Sequence, residues 1–285
     1  MIIPTQLTAN CSKTPERSAW LQQLPAAVSE LATRWSLEIH PPFDGADGGA
    51  AWVAPATRAD GSPAVLKLGM PHMEGEHEIA GMRFWNADPT VQLLEHDETL
   101  GAMLLEQCVP GTSLRELPEH EQDVVIAALL RRMWRVPPID APFRQLETMT
   151  LHWRDATLAD ADRWPDTALV QEGLRYFNEL ARTTTTSVLL ATDLHAGNVL
   201  RAQREPWLVI DPKPFLGDAA YDATQHLLNC RTRLLAEPEE TIRRFAELLE
   251  VDQERVRLWI FARAAAEPRD RWDDELLAIA RATAP

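Results

Sequence analysis

The sequence predicts an α+β fold of two lobes, a strand-rich N-terminal lobe over residues 1–108 and a helical C-terminal lobe over residues 109–285. Three observations predict it. After one helix, the first third of the chain is filled by short apolar segments separated by turn signals. The remainder is rich in long segments with helical spacing of apolar residues. The chain-breaking pair Pro110-Gly111 stands between the two regions and marks a possible hinge.

The N-terminal lobe begins with a predicted helix at Ser18–Leu37, where apolar residues recur at helical intervals. The pair Asp60-Gly61 is a hairpin signal, which predicts that its flanking strands are antiparallel neighbours. A second helix is predicted at Met73–Trp85. The predicted strands are Ser36–His40, Ala51–Pro55, Ala64–Gly69, Val91–His96 and Ala102–Gln107. Together they predict a small antiparallel meander with a glycine-bearing connection at Asp44–Ala50.

The C-terminal lobe is predicted to be mainly helical, with two short apolar strands in its middle. The strands are predicted at Ser187–Ala191 and Pro206–Ile210. The helices are predicted at Glu119–Arg135, Ala168–Arg182, Pro238–Leu249 and Gln253–Ala266.

The charge balance restricts the classes of partner. With 28 basic and 43 acidic residues, the formal net charge is −15, which disfavours non-specific nucleic-acid binding because that requires a positive surface. The same charge is compatible with a cationic small substrate, although acidity also serves solubility. No signal peptide and no apolar run of about eighteen residues is present, and the three cysteines, Cys11, Cys108 and Cys230, are widely spaced. We therefore expect a cytoplasmic protein without membrane contact.

The chemistry-bearing residues concentrate around the two strands of the C-terminal lobe. Asp193 and Asn198 lie five residues apart on a polar loop, and Asp211 ends the second strand. A hairpin of this spacing can bring an amide oxygen and a carboxylate to one point, and such ligands suit Mg²⁺ held partly by substrate phosphates. Asp193 would then accept the proton of an attacking hydroxyl. Each aspartate alone is equally compatible with a turn or a strand end.

The order Asp193, Asn198, Asp211 resembles the catalytic loop and the metal-binding aspartate of protein kinases. Such enzymes also need a strand lysine that holds the nucleotide phosphates and a helical glutamate that orients it. Lys67 is the only lysine between residues 14 and 212 and lies in a predicted strand. Among the glutamates of the next helix we favour Glu78 as its partner; the alternative is an exposed strand lysine.

Other motifs are weaker or absent. The glycine connection Asp44–Ala50 does not fit G-x-G-x-x-G, so it is either a phosphate-covering loop or an ordinary hairpin loop. No Walker-type P-loop and no G-x-S-x-G nucleophile elbow occurs. His195 lies two residues after Asp193, where a hydrogen bond that stabilises the loop is favoured over a catalytic role.

These segments together resemble the aminoglycoside phosphotransferases, and within them the streptomycin 6-phosphotransferase and hydroxyurea phosphotransferase group. The resemblance extends from about residue 20 to residue 230. It is carried by Ala64-Val-Leu-Lys-Leu-Gly-Met-Pro, Val91-Gln-Leu-Leu-Glu-His-Asp-Glu, Met103-Leu-Leu-Glu, Asp193-Leu-His-Ala-Gly-Asn-Val-Leu, Arg204-Glu-Pro-Trp-Leu-Val-Ile-Asp-Pro-Lys-Pro and Gly217-Asp218.

The resemblance implies a two-lobed, protein-kinase-like fold that uses ATP and Mg²⁺. Asp193 would be the catalytic base, and Asn198 and Asp211 the magnesium ligands. Lys67 and Glu78 would orient the nucleotide. The segment Glu106, Gln107 and Cys108 would form the hinge that receives the adenine.

One departure concerns the catalytic loop. Family members usually have a histidine two residues before the catalytic aspartate, whereas this chain has Ala191, which puts the rigidity of the loop in doubt.

We therefore expect an ATP-dependent kinase that phosphorylates a hydroxyl of a small cationic antibiotic, with streptomycin the first candidate and hydroxyurea the second. Asp218 and Asp222 are tentative substrate residues, because acidic side chains near the loop could bind amines or guanidines; Asp218 is equally compatible with a helix cap. The rival hypotheses are a catalytically inactive binding protein with a kinase fold and a protein kinase. A protein kinase is disfavoured because no A-P-E signature follows Asp211.

Overall fold

The computed structural model describes residues 1–43, 49–184 and 186–285. The chain divides into two compact units. The first consists of Met1–Gly111 with Arg201–Leu208, and the second of Thr112–Leu200 with Val209–Pro285. Sequence analysis placed a single boundary after residue 108. The observed division lies three residues later and also assigns a short segment of the later chain to the first unit.

The first unit contains, within the described residues, an antiparallel five-stranded sheet of order β1-β2-β3-β5-β4. Its strands are β1 (Leu37–Ile39), β2 (Ala51–Arg58), β3 (Pro63–Gly69), β4 (Leu93–Asp97) and β5 (Ala102–Glu106). The predicted turn at Asp60-Gly61 connects β2 and β3, where Asp60 accepts a hydrogen bond from the backbone N–H of Ser62 at 2.9 Å. Gly61 has φ +80°, a conformation that favours glycine.

Three helices accompany this sheet: α1 (Thr5–Cys11), α2 (Pro15–Arg34) and α3 (Glu78–Trp85). The core is formed by α1, α2 and one face of the sheet, with Leu24, Leu31, Trp52 and Leu66 among its buried side chains. Because side chains alternate along a strand, Lys67 in β3 projects from the face opposite to Leu66. The sheet therefore separates this lysine from the helix-covered core.

The second unit is dominated by helices. They are α4 (Glu119–Met133), α5 (Leu146–Ala159), α6 (Thr167–Arg182), α7 (Ala219–Asn229), α8 (Arg231–Ala236), α9 (Pro238–Leu249), α10 (Gln253–Ala266) and α11 (Asp274–Thr283). Strand β6 (Ser187–Leu190) pairs with β9 (Phe215–Asp218) in an antiparallel ladder. Between them in sequence, β7 (Val199–Arg201) and β8 (Trp207–Val209) form a hairpin, of which Arg201–Leu208 groups with the first unit.

Helix α10 is the centre of the second unit, since it is buried around most of its circumference. It packs against α6, α7 and α11. The approach of α6 is close because Gly173 faces it: a Cβ atom at Gly173 would lie 2.8 Å from Ala265 Cβ and 2.9 Å from Ala266 Cβ. The absence of a side chain at this position therefore sets the distance between the two helices.

The structure agrees with most of the predicted elements. The bounds of α9 and α10 are those predicted, because Pro238 at a first helical position and the Asp252 N-cap mark the starts of these helices. The predicted helix Met73–Trp85 is shorter, since a separate 3-10 turn occupies Met73–Gly75. Elements absent from the sequence analysis are α1, α5, α7, α8, α11, β7 and β9. Of the glycine connection, residues 44–48 lie outside the described residues. In the part of the chain that is described, no helix has the length and hydropathy needed to cross a bilayer.

We predict that Gly173→Ala destabilises the second unit. The added methyl group would overlap Ala265 and Ala266, and such overpacking costs about 1–3 kcal/mol. This exceeds the helix-propensity gain of about 1 kcal/mol that alanine offers. Urea unfolding measures the difference, with Gln171→Ala at an exposed position of the same helix as the control, expected within about 0.5 kcal/mol of wild type. A Gly173→Ala protein as stable as wild type would contradict the close packing.

Candidate active site

The first unit contributes a buried ion pair between Lys67 in β3 and Glu78 at the start of α3. The two residues are only 5% and 6% exposed. Val53 and Met103 are the cross-strand neighbours of Lys67 in the sheet. A buried charge requires a partner, and Glu78 is the partner that sequence analysis favoured over Glu74 and Glu76.

In the second unit, the candidate catalytic loop follows directly after β6. Thr192 has φ +47°, which turns the chain sharply before Asp193. The Ala191 carbonyl accepts hydrogen bonds from the N–H groups of Asp193 at 2.7 Å and Lys213 at 2.8 Å. The Thr192 hydroxyl donates to the Lys213 carbonyl at 2.7 Å. These bonds fix the loop to the segment that contains Asp211.

Asp222 in α7 binds the backbone of the same loop. Its Oδ2 accepts hydrogen bonds from the Ala191 N–H at 3.0 Å and Trp134 Nε1 at 2.9 Å, and its Oδ1 accepts one from the Thr192 N–H at 2.8 Å. Burial raises the pKa of Asp222 to about 6, against the lowering effect of these hydrogen bonds and of Arg263. The loop backbone is therefore held by Asp222, although Ala191 stands where family members usually have a histidine.

The second half of the loop is a 3-10 turn over Ala196–Asn198. His195 Nδ1 accepts a hydrogen bond from the Gly197 N–H at 3.0 Å, so the loop-stabilising interpretation of His195 is confirmed. Asn198 Nδ2 donates to the Asp193 carbonyl at 2.9 Å and lies 3.5 Å from Asp193 Oδ2. The predicted proximity of Asp193 and Asn198 is therefore observed.

Asp211 lies just beyond the β7–β8 hairpin with φ +55°. The N–H of the preceding residue, Ile210, donates to the Asn198 carbonyl at 2.9 Å, which brings the two predicted metal ligands to the same end of the hairpin. Lys213 is buried and forms an ion pair with Asp211. Sequence analysis did not assign a role to Lys213, although the scarcity of lysine that singled out Lys67 applies to it equally.

The donor types of this site fit Mg²⁺. Because the Asn198 amide nitrogen is used on the Asp193 carbonyl, its oxygen is the side-chain atom that would bind a cation. Together with the Asp211 carboxylate it forms a sparse set of oxygen ligands, the kind that Mg²⁺ takes when substrate phosphates complete its coordination. Among the described residues no group of three or more His, Cys, Asp or Glu side chains forms a complete protein cage for a metal.

The placement of Asp218 and Asp222 corrects their assignment as substrate residues. Asp218 is 7% exposed and caps α7 through the Ala220 N–H at 3.1 Å, so the helix-cap alternative is confirmed. Its other oxygen accepts hydrogen bonds from Trp259 Nε1 at 2.8 Å and Arg255 Nε at 2.7 Å. Asp222 is 1% exposed and holds the loop backbone. Both carboxylates serve internal bonds rather than a solvent-facing pocket, a difference that residue type alone does not reveal.

The predicted hinge segment follows β5 in the first unit. Glu106 accepts hydrogen bonds from the Gln92 N–H at 2.9 Å and from Arg204 Nη2 at 2.9 Å. Cys108 is buried, and burial together with the nearby Glu106 raises the pKa of its thiol to about 11. The thiol is therefore protonated at neutral pH.

Sequence analysis did not single out Gln225, which contacts the loop from α7. Gln225 Nε2 in α7 donates a hydrogen bond to Asp193 Oδ1 at 2.7 Å. The two residues are 32 positions apart, and α7 itself was not predicted. Only the i, i+3 relation of Gln225 to Asp222 hints at a shared face toward the loop.

Comparison with known proteins identifies the family of this chain. Residues 34–274 match the family described as aminoglycoside/hydroxyurea antibiotic resistance kinase. The chain belongs to this family.

Two curated relatives of this antibiotic resistance kinase family are similar over much of the chain. The streptomycin 6-kinase of Streptomyces glaucescens is 35% identical over 280 residues, which cover 92% of this chain and 88% of the relative. The hydroxyurea phosphotransferase of Kitasatospora aureofaciens is 34% identical over 215 residues, covering 74% of this chain and 62% of the relative. The similarity to the first therefore extends beyond residue 230, where the resemblance of the sequence motifs ends.

The fold is that of kinases which act on small molecules. The crystal structure of choline kinase LicA from Streptococcus pneumoniae superimposes with a TM-score of 0.62 at 11% identity, covering 92% of this chain and 97% of that one. The predicted α+β, protein-kinase-like fold is confirmed.

We predict that Asp222→Asn displaces the catalytic loop of this family member. An asparagine has one acceptor oxygen, so its NH₂ group would face a backbone N–H of Ala191 or Thr192. An unsatisfied buried donor costs about 1–3 kcal/mol. The free energy of unfolding, measured in urea, and kcat should both be lower than in wild type. Trp134→Phe removes one donor to Asp222 but leaves both loop bonds, and its kcat should stay near wild type. Equal kcat for Asp222→Asn and wild type would contradict the anchoring role.

The buried carboxylate of Asp222 also predicts a pH dependence. Its folded pKa of about 6 lies above the ordinary pKa of 3.8 for an aspartate, so the folded state binds the proton more tightly than the unfolded state. The contribution of Asp222 to the free energy of unfolding is therefore largest below about pH 4 and decreases as the pH rises through about 6. The stability advantage of wild type over Asp222→Asn should shrink over this interval. An advantage that grows from pH 4 to pH 6 would contradict the assignment.

Proposed function

We propose that this protein transfers the γ-phosphoryl group of ATP to a hydroxyl group of streptomycin. The observation that carries the proposal is the Asp193 carboxylate, which Gln225 holds at 2.7 Å and beside which Asn198 lies. This is the arrangement that a base for a hydroxyl acceptor requires. The choice of acceptor rests on the 35% identity to a streptomycin 6-kinase over nearly the whole chain.

Each residue has a distinct part in the proposed reaction. Asp193 accepts the proton of the acceptor hydroxyl as its oxygen forms a bond to the γ-phosphorus. The bond between the γ-phosphorus and the bridging oxygen breaks, and ADP departs with that electron pair. Lys67, held by Glu78, neutralises negative charge on the nucleotide phosphates.

The metal contributes positive charge at the phosphates when it is bound. Asn198 and Asp211 would hold Mg²⁺ through their side-chain oxygens. Lys213, which pairs with Asp211, adds a second positive charge at this end of the hairpin. Phosphoryl transfer requires mainly the positioning of the reactants and the stabilisation of charge, and the residues named in these two paragraphs would supply both.

A kinase-fold binding protein without catalysis is the rival from another class. Its sequence basis was Ala191 in place of the usual histidine. The anchoring of Ala191 by Asp222 and Lys213 weighs against it, because the loop is supported without that histidine. Release of ADP with any acceptor separates the two functions.

We predict that Asp193→Asn lowers turnover alone, whereas Asp211→Ala lowers both turnover and ATP binding. Asp193→Asn removes the base, so kcat should fall by about 10²–10⁴-fold while Mg-ATP still binds. Asp211→Ala should weaken Mg-dependent ATP binding as well as turnover. Steady-state kinetics and calorimetry measure both effects. Near wild-type turnover of Asp193→Asn would remove Asp193 from the role, and unchanged Mg-ATP binding by Asp211→Ala would overturn the metal assignment.

We also predict that the KM for streptomycin rises with ionic strength. The net charge of −15 attracts a guanidinium-bearing acceptor over about 8–10 Å, and salt screens this attraction. The KM for ATP, an anion, should not rise in the same way.

Hydroxyurea is the second candidate because of the similarity to a hydroxyurea phosphotransferase. It is neutral, so its KM should depend little on salt. ADP release with hydroxyurea and none with millimolar streptomycin would reject streptomycin as the acceptor.

A further inference from the structure

Helix α7 presents two polar side chains to the catalytic loop, one turn apart. Asp222 binds the backbone of Ala191 and Thr192, and Gln225 binds the side chain of the next residue, Asp193. Positions i and i+3 of a helix lie on the same face, so one rigid helix contacts three consecutive loop residues. The backbone of the loop and the direction of its carboxylate are thus fixed by separate side chains.

The environment of Gln225 makes this contact specific. Eight of the eleven residues of α7 are buried, and Gln225 is half-buried between Thr224 and His226, which are fully buried. A polar side chain in such a helix needs a hydrogen-bonding partner, and the amide of Gln225 has the Asp193 carboxylate. A hydrogen bond to a charged acceptor is stronger than a neutral one.

Gln225 also borders a cavity of about 540 Å³ in the second unit. Asn229 of α7, Arg263 of α10 and Glu267 line it together with Asp273 ahead of α11. The buried Arg263 donates to Glu267 at 2.8 Å and to Thr224 at 2.8 Å, so this wall is held in place by charge-assisted bonds. Asp193 is therefore attached, through Gln225, to the edge of a polar cavity of small-molecule size.

We propose that Gln225 is a positioning residue of the phosphotransfer reaction. Its amide holds Asp193 Oδ1 and so directs Oδ2 toward the acceptor hydroxyl. This inference rests on the proposed function in requiring that Asp193 act as the base. It adds that the orientation of Asp193 comes from α7 and not only from the loop that contains it.

The test compares Gln225→Met, which keeps the length of the side chain but removes the donor, with Gln253→Met at an exposed position of α10. For Gln225→Met we expect kcat to fall about 10- to 100-fold, because the lost bond is to a charged group. The KM values for ATP and the acceptor should change less than threefold, and the melting temperature should match that of Gln253→Met. An unchanged kcat would overturn the proposal.

A double-mutant cycle separates positioning from a general structural effect. If Gln225 acts through Asp193, Gln225→Met should cause no further loss in the Asp193→Asn background. An additional loss of tenfold or more would show that Gln225 acts independently of Asp193 and would overturn the proposal.

A crystal structure of Gln225→Met needs no acceptor and remains informative if the proposed function fails. We expect the Asp193 carboxylate to rotate away from its wild-type direction while the Ala191 and Thr192 backbone stays on Asp222. A carboxylate that keeps its direction would overturn the inference. Absence of turnover by the wild-type protein with streptomycin and hydroxyurea would instead contradict the proposed function.

Discussion

The catalytic loop depends on one buried carboxylate, that of Asp222. Removing an ionised carboxyl group from water is unfavourable unless it is hydrogen-bonded, and three N–H donors satisfy this one. Two of them are the backbone N–H groups that lead into Asp193. These two donors reach Asp222 only when the loop has its observed conformation. Any other conformation of the loop would therefore leave the buried carboxyl group without them.

Helix α7 and its N-cap take part in several buried polar interactions of the second unit. Asp218 caps the helix and binds Trp259, while His226 hydrogen-bonds to Asp123 in α4 at 2.8 Å. Burial raises the pKa of Asp123, but hydrogen bonds from Arg233 and His226 outweigh it and hold that pKa at about 2. The helix is therefore tied to α4, α10 and the catalytic loop by side chains that leave little freedom for it to shift. Such fixation is what preorganised catalysis requires.

The sequence was sufficient where the decisive signal is local. Scarcity of lysine and a predicted strand singled out Lys67, whose pairing with Glu78 is observed, and the spacing from Asp193 to Asn198 singled out the loop, because both signals are properties of short segments. It was insufficient where partners are distant in the chain. Gln225 reaches Asp193 across 32 positions. An aspartate such as Asp222 has the same appearance in a sequence whether it faces a substrate or a buried backbone, so its assignment failed for lack of tertiary information.

The segment Arg201–Leu208, which groups with the first unit although it is encoded far from it, affects how the protein can be divided. Arg204 in this segment donates to the Ala87 and Thr90 carbonyls at 2.7 Å and pairs with Glu106. The chain therefore passes between the units three times, after residues 111, 200 and 208. An N-terminal fragment cut at residue 111 would lose this guanidinium, so Glu106 would lose its ion-pair partner and the two carbonyls their side-chain donor. Neither unit is a contiguous genetic module, and exchange of halves between relatives would have to carry the hairpin along with the N-terminal segment.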